Sequence, residues 1–230
     1  MSELSKGLQH LQQRIRQTAL TTHSNPDAVQ IIAVSKLQSL EKLQAAYDLG
    51  IRHFGENYLQ EAIGKITRLK NYPITWHFIG KIQSNKTRQI AEHFSWCHTL
   101  DQLKIAQRLN DQRPLYLTPL QVCIQVNIDN EPQKAGATVE ETETLALSIQ
   151  AFSNLQLRGL MCIPQAEASP TETQTSFYRL RKLLNQLQKH PQLQTLDTLS
   201  MGMSADLELA VAEGATFVRI GTALFGERHP

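Results

Sequence analysis

Eight short apolar runs alternate with seven stretches of helical periodicity along this 230-residue chain, and that alternation leaves few folds open. The strand-like runs are Ile31–Ser35, His53–Glu56, Thr75–Gly80, Trp96–Leu100, Gln121–Asn127, Leu157–Ile163, Thr198–Gly202 and Thr216–Gly221. The helical patterns between them cover about 39–49, 57–70, 84–93, 101–112, 139–152, 173–189 and 204–213. Strands separated by helices imply right-handed βαβ crossovers and a parallel sheet. Eight of them predict an α/β fold closed into a (β/α)8 TIM barrel, since open doubly wound sheets use fewer strands. An additional helix is expected over residues 3–22, where Leu4, Leu8, Leu11, Ile15 and Ala19 recur at helical spacing before Thr21–Pro26 breaks the pattern. It is expected to cover the outside or the bottom of the barrel. No compositional shift or long linker divides the chain, so residues 1–230 are expected to form one domain.

Several function classes are disfavoured. A formal charge of +2 is too small to suggest nucleic acid, and no basic cluster alternates with aromatics. Met1–Lys6 lacks the apolar core of a signal peptide, and no run reaches membrane length. Cys97, Cys123 and Cys162 each sit in a strand-like run, which reads as buried free thiols in a reducing compartment. A cytoplasmic address is therefore expected.

The first strand carries the first unusual feature. Ile32, Val34 and Lys36 share one face of an extended chain, so a lysine continues an apolar face. The ordinary reading is an ammonium reaching water from a strand end. The chemical reading is an amine kept neutral by desolvation, ready to attack a carbonyl and form a Schiff base.

Near the other end, Leu199–Leu207 finishes the seventh strand and starts a helix. Gly202 permits a tight turn there, and Ser204 suits an N-cap. The eighth strand runs through Gly221 into Thr222 and a short terminal helix. Loops after strands seven and eight of barrels frequently hold phosphate with the N-terminus of a short extra helix. Ordinary capping is the alternative for either segment alone. Arg219 shares a face with Phe217 and Gly221, opposite Val218 and Ile220, so it is expected to point into the barrel. A buried guanidinium must find an acceptor: either a carboxylate such as Glu56, or a ring nitrogen of a bound heterocycle. Gly55–Tyr58 ends the second strand beside Lys36 and supplies an amide in Asn57. An amine, a phosphate cradle and an inward arginine together suggest pyridoxal 5′-phosphate (PLP).

Other signals carry less. Gly80–Thr87 superficially matches a P-loop but lacks the glycine before Lys86-Thr87; it reads as a loop and helix start, with Lys81 and Lys86 near the barrel mouth. His77 and His98 read as satisfied core histidines. No cysteine–histidine spacing suggests zinc, and no Gly-x-Ser-x-Gly elbow appears. The polar stretches Asp129–Gly136 and Pro164–Pro170 follow strand C-terminal ends, where they are candidates for mobile rims.

The words Ala33–Lys36, Phe54–Asn57, Trp76–Gly80 with Gln83–Lys86, Gly159–Met161, Leu199–Asp206, and Val218–Thr222 with Phe225-Gly226 span nearly the whole chain. In that order they closely resemble the pyridoxal-phosphate homeostasis protein family, also described as YggS-like or proline-synthetase co-transcribed. The resemblance implies a PLP fold-type III barrel related to that of alanine racemase, usually monomeric, with Lys36 as the Schiff-base lysine. It places the phosphate on Ser204, Gly221 and Thr222 with backbone of the Gly202 turn, and Arg219 against the pyridine nitrogen. Asn57 and Met201 would line the ring. It further implies a role in vitamin B6 homeostasis without established turnover, with apo PLP-enzymes as possible recipients. An arginine at the ring nitrogen keeps that nitrogen unprotonated and makes the ring a poorer electron sink. An amino-acid racemase is the alternative; it needs an acid/base on each face of the substrate carbon, Lys36 serving one and Tyr58 being the nearest candidate for the other. A cofactor-free class I aldolase-like use of Lys36 is a third possibility.

Overall fold

The computed structural model describes residues 2–226. Eight parallel strands close into a barrel in chain order: β1 (Gln30–Val34), β2 (His53–Glu56), β3 (Thr75–Phe78), β4 (Trp96–Leu100), β5 (Leu120–Gln125), β6 (Leu155–Met161), β7 (Thr198–Ser200) and β8 (Phe217–Ile220). Closure is made by β8 pairing back to β1, with Ile32 opposite Arg219 and Ala33 opposite Ile220. Outside the sheet lie α1 (Glu3–Thr21), α2 (Leu40–Asp48), α3 (Leu59–Arg68), α4 (Thr87–His93), α5 (Leu103–Gln112), α6 (Val139–Ile149), α7 (Pro170–Leu187), α8 (Leu207–Ala212) and α9 (Thr222–Phe225). The expected barrel is therefore observed, with strand boundaries shifted by two residues at most.

Strand alternation sorts the side chains into two cores. One face packs against the helices, as Ala33, Phe54, Trp76, Phe78, Cys97 and Val122 do. The other fills the barrel, where Ile32, Trp96, Cys123, Met161 and Phe217 cluster. The Phe217 ring meets His53, His77, Trp96 and His98 from three different strands. The interior is thus filled with side chains rather than forming a pore.

The leading helix has a specific task. β8 is followed by a single helical turn, α9, which is too short to cover the seam between β8 and β1. α1 packs against α8, α9 and α2 and buries Leu8, Leu11, Ile15 and Ala19. It takes the place of the eighth outer helix. Arg14 fastens it through a two-pronged contact with Glu208, Nε to Oε1 at 2.5 Å and Nη2 to Oε2 at 2.7 Å.

Two helix starts differ from expectation. α7 begins at Pro170, earlier than the apolar periodicity indicated, because Ser169 and Glu172 form a reciprocal capping box with proline in the first turn. α8 begins at Leu207 with Asp206 at the N-cap position, so Ser204 is not the cap; it lies in the turn before. That turn is held by Asp206, whose carboxylate accepts from the Met203 N–H. Among the described residues no helix is long and apolar enough to cross a membrane.

Candidate functional site

Lys36 lies two residues beyond β1, half-buried, and the backbone on both sides of it is tied down. The preceding carbonyl, Ser35 O, accepts from Lys65 Nζ at 2.6 Å. The following amide, Leu37 N–H, donates to Glu61 Oε1 at 2.6 Å. Leu37 has a φ of 61°, a left-handed conformation that an L-residue adopts only when its surroundings enforce it. Beneath this turn Lys65 Nζ also reaches Glu56 Oε1 at 2.8 Å, and the Ser35 hydroxyl donates to the same oxygen at 2.6 Å. Burial raises the Glu56 carboxyl above its usual range, against the lowering influence of Lys65 and Ser35.

Arg219 points into the barrel, as alternation along β8 requires. Of the two candidate acceptors, the carboxylate of Glu56 is not its partner. His53 and Gly55 take the inward positions of β2, so Glu56 faces outward to Lys65 on α3. Arg219 donates instead through Nη1 to Ser200 O at 2.7 Å and Ser200 Oγ at 3.0 Å, and through Nη2 to Cys162 O at 2.9 Å. Among the described residues no carboxylate lies within ion-pair reach of it, and burial pushes its pKa below the usual guanidinium value. These three contacts leave N–H capacity on a five-donor group, so a further acceptor fits here.

β1 and β8 pair as far as Ala33 opposite Ile220, so Lys36 and Gly221–Ala223 both follow the C-terminal ends of adjoining strands. Lys42 Nζ, bonded to Gln38 Oε1 at 3.0 Å and to Phe225 O at 3.3 Å, ties α2 to α9 in the same neighbourhood. From the β7 side, Ser204 Oγ accepts the Ala223 N–H at 3.4 Å. Gly202 between them has a φ of 90°, where a side chain would be strained and would meet Ala210. Thr222 is exposed, whereas Met201 is fully buried in the cluster between sheet and helices. Asn57 follows β2 and lines a mouth cavity of about 300 Å³ with Lys81, Ser84 and Asp101. Its Oδ1 is buried and lacks a hydrogen-bond partner among the described residues. Tyr58 is exposed at the rim.

The two polar rim stretches are joined: Asp129 Oδ2 accepts from Gln165 N at 3.1 Å, and Lys134 Nζ donates to Pro164 O at 2.9 Å. The cysteines are buried and free, and burial raises Cys97 to about 11 and Cys162 to about 12, which makes them inert thiols. Among the described residues no His, Cys, Asp and Glu grouping could hold a metal ion.

One feature escaped the sequence reading. His77 and His98 are satisfied core histidines as expected, but His53 joins them in a continuous line of hydrogen bonds running to Ser200 and Arg219. The signal was available, because each histidine occupies an inward position on consecutive strands.

Residues 7–229 match the family model of the alanine racemase N-terminal domain. The chain is 51% identical over 228 residues to the pyridoxal phosphate homeostasis protein of Pseudomonas aeruginosa, covering 99% of this chain and 97% of that one. It is 43% identical over 232 residues to the protein of the same name from Escherichia coli, covering 99% and 98%. Among solved structures, PipY of Synechococcus elongatus with PLP bound superposes with a TM-score of 0.82 at 40% identity, covering 94% of this chain and all of PipY. Alanine racemase from Corynebacterium glutamicum shares the fold, with a TM-score of 0.66 at 15% identity over 95% of this chain and 60% of the racemase. Full-length identity at this level decides membership: the chain belongs to the pyridoxal phosphate homeostasis protein family.

Proposed function

We propose that this protein binds pyridoxal 5′-phosphate at the mouth of its barrel and serves vitamin B6 homeostasis by holding and releasing the cofactor. When bound, PLP supplies an aldehyde that condenses with a lysine amine and an electron-withdrawing pyridine ring. Lys36 is the lysine for that linkage, oriented by the ties on Ser35 and Leu37. Arg219 donates to the ring nitrogen. Ser204, Gly221 and Thr222, with the backbone of the Gly202 turn, hold the phosphate, and Asn57 lines the ring, whereas Met201, expected there, is buried between sheet and helices and acts only through its backbone. The observation that carries this reading is Arg219 itself. A buried guanidinium with no carboxylate partner among the described residues, on the strand adjoining that of Lys36, suits a heterocyclic acceptor. The unpartnered Asn57 Oδ1 is a second polar atom consistent with a ligand.

The same arginine supports binding over turnover. It cannot surrender its proton to the ring nitrogen, so the ring stays a weak electron sink and carbanion chemistry is poorly supported. On this reading the whole chain, 1–230, works as one PLP-binding domain, a cytoplasmic monomer whose recipients are apo PLP-enzymes.

The test is direct. Purified protein should be yellow, and Lys36→Ala should lose the colour while its circular dichroism stays unchanged; persistent covalent colour would put the linkage on another lysine. Loaded protein incubated with L-serine or either enantiomer of alanine in heavy water should show no α-deuterium exchange, whereas exchange would favour the racemase alternative. Transfer of PLP to an apo-enzyme, against free PLP as control, tests delivery.

A further inference from the structure

We infer that His53, His77, His98 and Ser200 form a one-way hydrogen-bond string that positions Arg219 as the donor to the ring nitrogen, an inference resting on the cofactor reading above. The string is continuous. Arg219 Nη1 meets Ser200 Oγ at 3.0 Å, Ser200 Oγ meets His98 Nδ1 at 2.9 Å, His98 Nε2 meets His77 Nδ1 at 2.8 Å, and His77 Nε2 meets His53 Nδ1 at 2.9 Å. Ser200, His77 and His98 are wholly buried.

Its direction follows from Arg219, which donates and never accepts. Ser200 Oγ accepts from it, so the serine hydrogen is available for His98 Nδ1. His98 then carries its proton on Nε2 and donates to His77, which does the same to His53. Ser200, His98 and His77 each donate once and accept once along the string, and His53 accepts at its end. In the reverse direction the buried Ser200 hydroxyl would accept twice and its hydrogen would have no acceptor among the described residues, which is costly. An imidazolium at either middle position would lack an acceptor nitrogen and break a bond. Burial and the neighbouring charges accordingly hold His77 well below its ordinary range and bring His98 to about 3.

Packing alone does not require this arrangement. Barrel interiors are ordinarily filled by branched apolar residues, and two buried imidazoles with a half-buried third cost desolvation unless they are satisfied. The string runs from floor to mouth. His53 is the first residue of β2 and lines a cavity of about 840 Å³ beneath the barrel, with Gln30, Asp27 and Arg52. At the other end Ser200 grips the guanidinium with both its hydroxyl and its carbonyl. The histidines and Ser200 are positioning residues, acting on the cofactor only through Arg219.

Histidine ¹⁵N NMR of the ligand-free protein near neutral pH should show His53, His77 and His98 as Nε2–H tautomers. Nδ1–H or mixed tautomers in the unmodified protein would overturn the string without any variant. In protein loaded with ring-¹⁵N PLP, Ser200→Ala should move the ring-nitrogen resonance toward that of free PLP. It should also weaken PLP binding about tenfold, the scale of one lost hydrogen bond, and Ser200→Thr should restore both. If Ser200→Ala changes neither reading while Arg219→Gln changes both, the string is overturned and the cofactor site stands. If the unmodified protein takes up no PLP, both are overturned.

Discussion

Lys65 Nζ sits 2.6 Å from the carbonyl oxygen of Ser35, so an amine on α3 fixes the peptide that leads directly into Lys36. The same ammonium holds Glu56 and Glu61, and Glu61 in turn holds the amide just after Lys36. A reactive amine on a flexible stem is a poor nucleophile when its backbone is misplaced, because attack depends on orientation. The fold spends a buried ion pair on that orientation.

Replacing Lys65 with Met should therefore do two things. It strands Glu56 as a buried, unpaired carboxylate, a loss of about 3–5 kcal/mol when one partner of such a pair is removed. It also frees Ser35 O and Glu61. Urea unfolding should register the first effect, and slower formation of the yellow species on adding PLP should register the second. A variant as stable and as fast as the parent would deny the clamp any role.

Acid should destabilise the protein earlier than carboxylate titration alone explains. His77 and His98 are neutral in the fold and hold depressed pKa values, so their contribution is complete above the unfolded value of about 6.5 and is lost as pH falls toward the folded value. Between pH 7 and pH 5 His98 costs about 2 kcal/mol by linkage, and His77 acts in the same direction. Glu56 works oppositely: its raised pKa makes its contribution fullest below the ordinary glutamate value and lost as pH rises through the folded one. Two histidines outweigh one carboxyl, so unfolding midpoints in urea should fall from pH 7 to pH 5; constant midpoints would contradict neutral buried rings.

Arg219→Gln should keep the barrel closed but weaken PLP retention. Hydrogen bonds made by a charged donor contribute about 1.5–3 kcal/mol, which corresponds to roughly ten- to a hundredfold in the dissociation constant. Equilibrium dialysis followed by absorbance measures it. Unchanged affinity would remove the arginine from the ring nitrogen.

Gly80→Ala should destabilise by about 1–3 kcal/mol or more, the usual range for overpacking. A methyl group there would run into the backbone carbonyl of Asn57, which a side-chain rotation cannot relieve. Thermal unfolding checks the stability. Altered PLP affinity in the same variant would show that Asn57 moves with it.

The strands and their order were legible because period-two runs and period-3.6 runs alternate without interruption, and Arg219's inward aim followed from Phe217 and Gly221 sharing its face. Of the two acceptors open to Arg219, Glu56 could be set aside by parity alone: with His53 facing in, the fourth residue of β2 must face out. The early start of α7 was written in Ser169, Pro170 and Glu172, a cap that apolar periodicity does not register. Ser204 looked like a cap because its residue type suits one; Asp206 holds that position because the Gly202 turn delays the helix by two residues. His53 was missed because a single histidine carries no pattern. Only the pairing of three strands turns separate histidines into a line.

α1 precedes the barrel in sequence yet is bolted to its far end, Arg14 to Glu208, across 194 positions. Such a contact closes a very long loop and forms late when loop-closure entropy governs the order of events. Until it docks, the β8–β1 seam has only α9 over it, and that seam carries both Arg219 and the strand of Lys36. Completion of the wall and maturation of the pocket are therefore one folding event, so a partly folded chain should be blind to the vitamin.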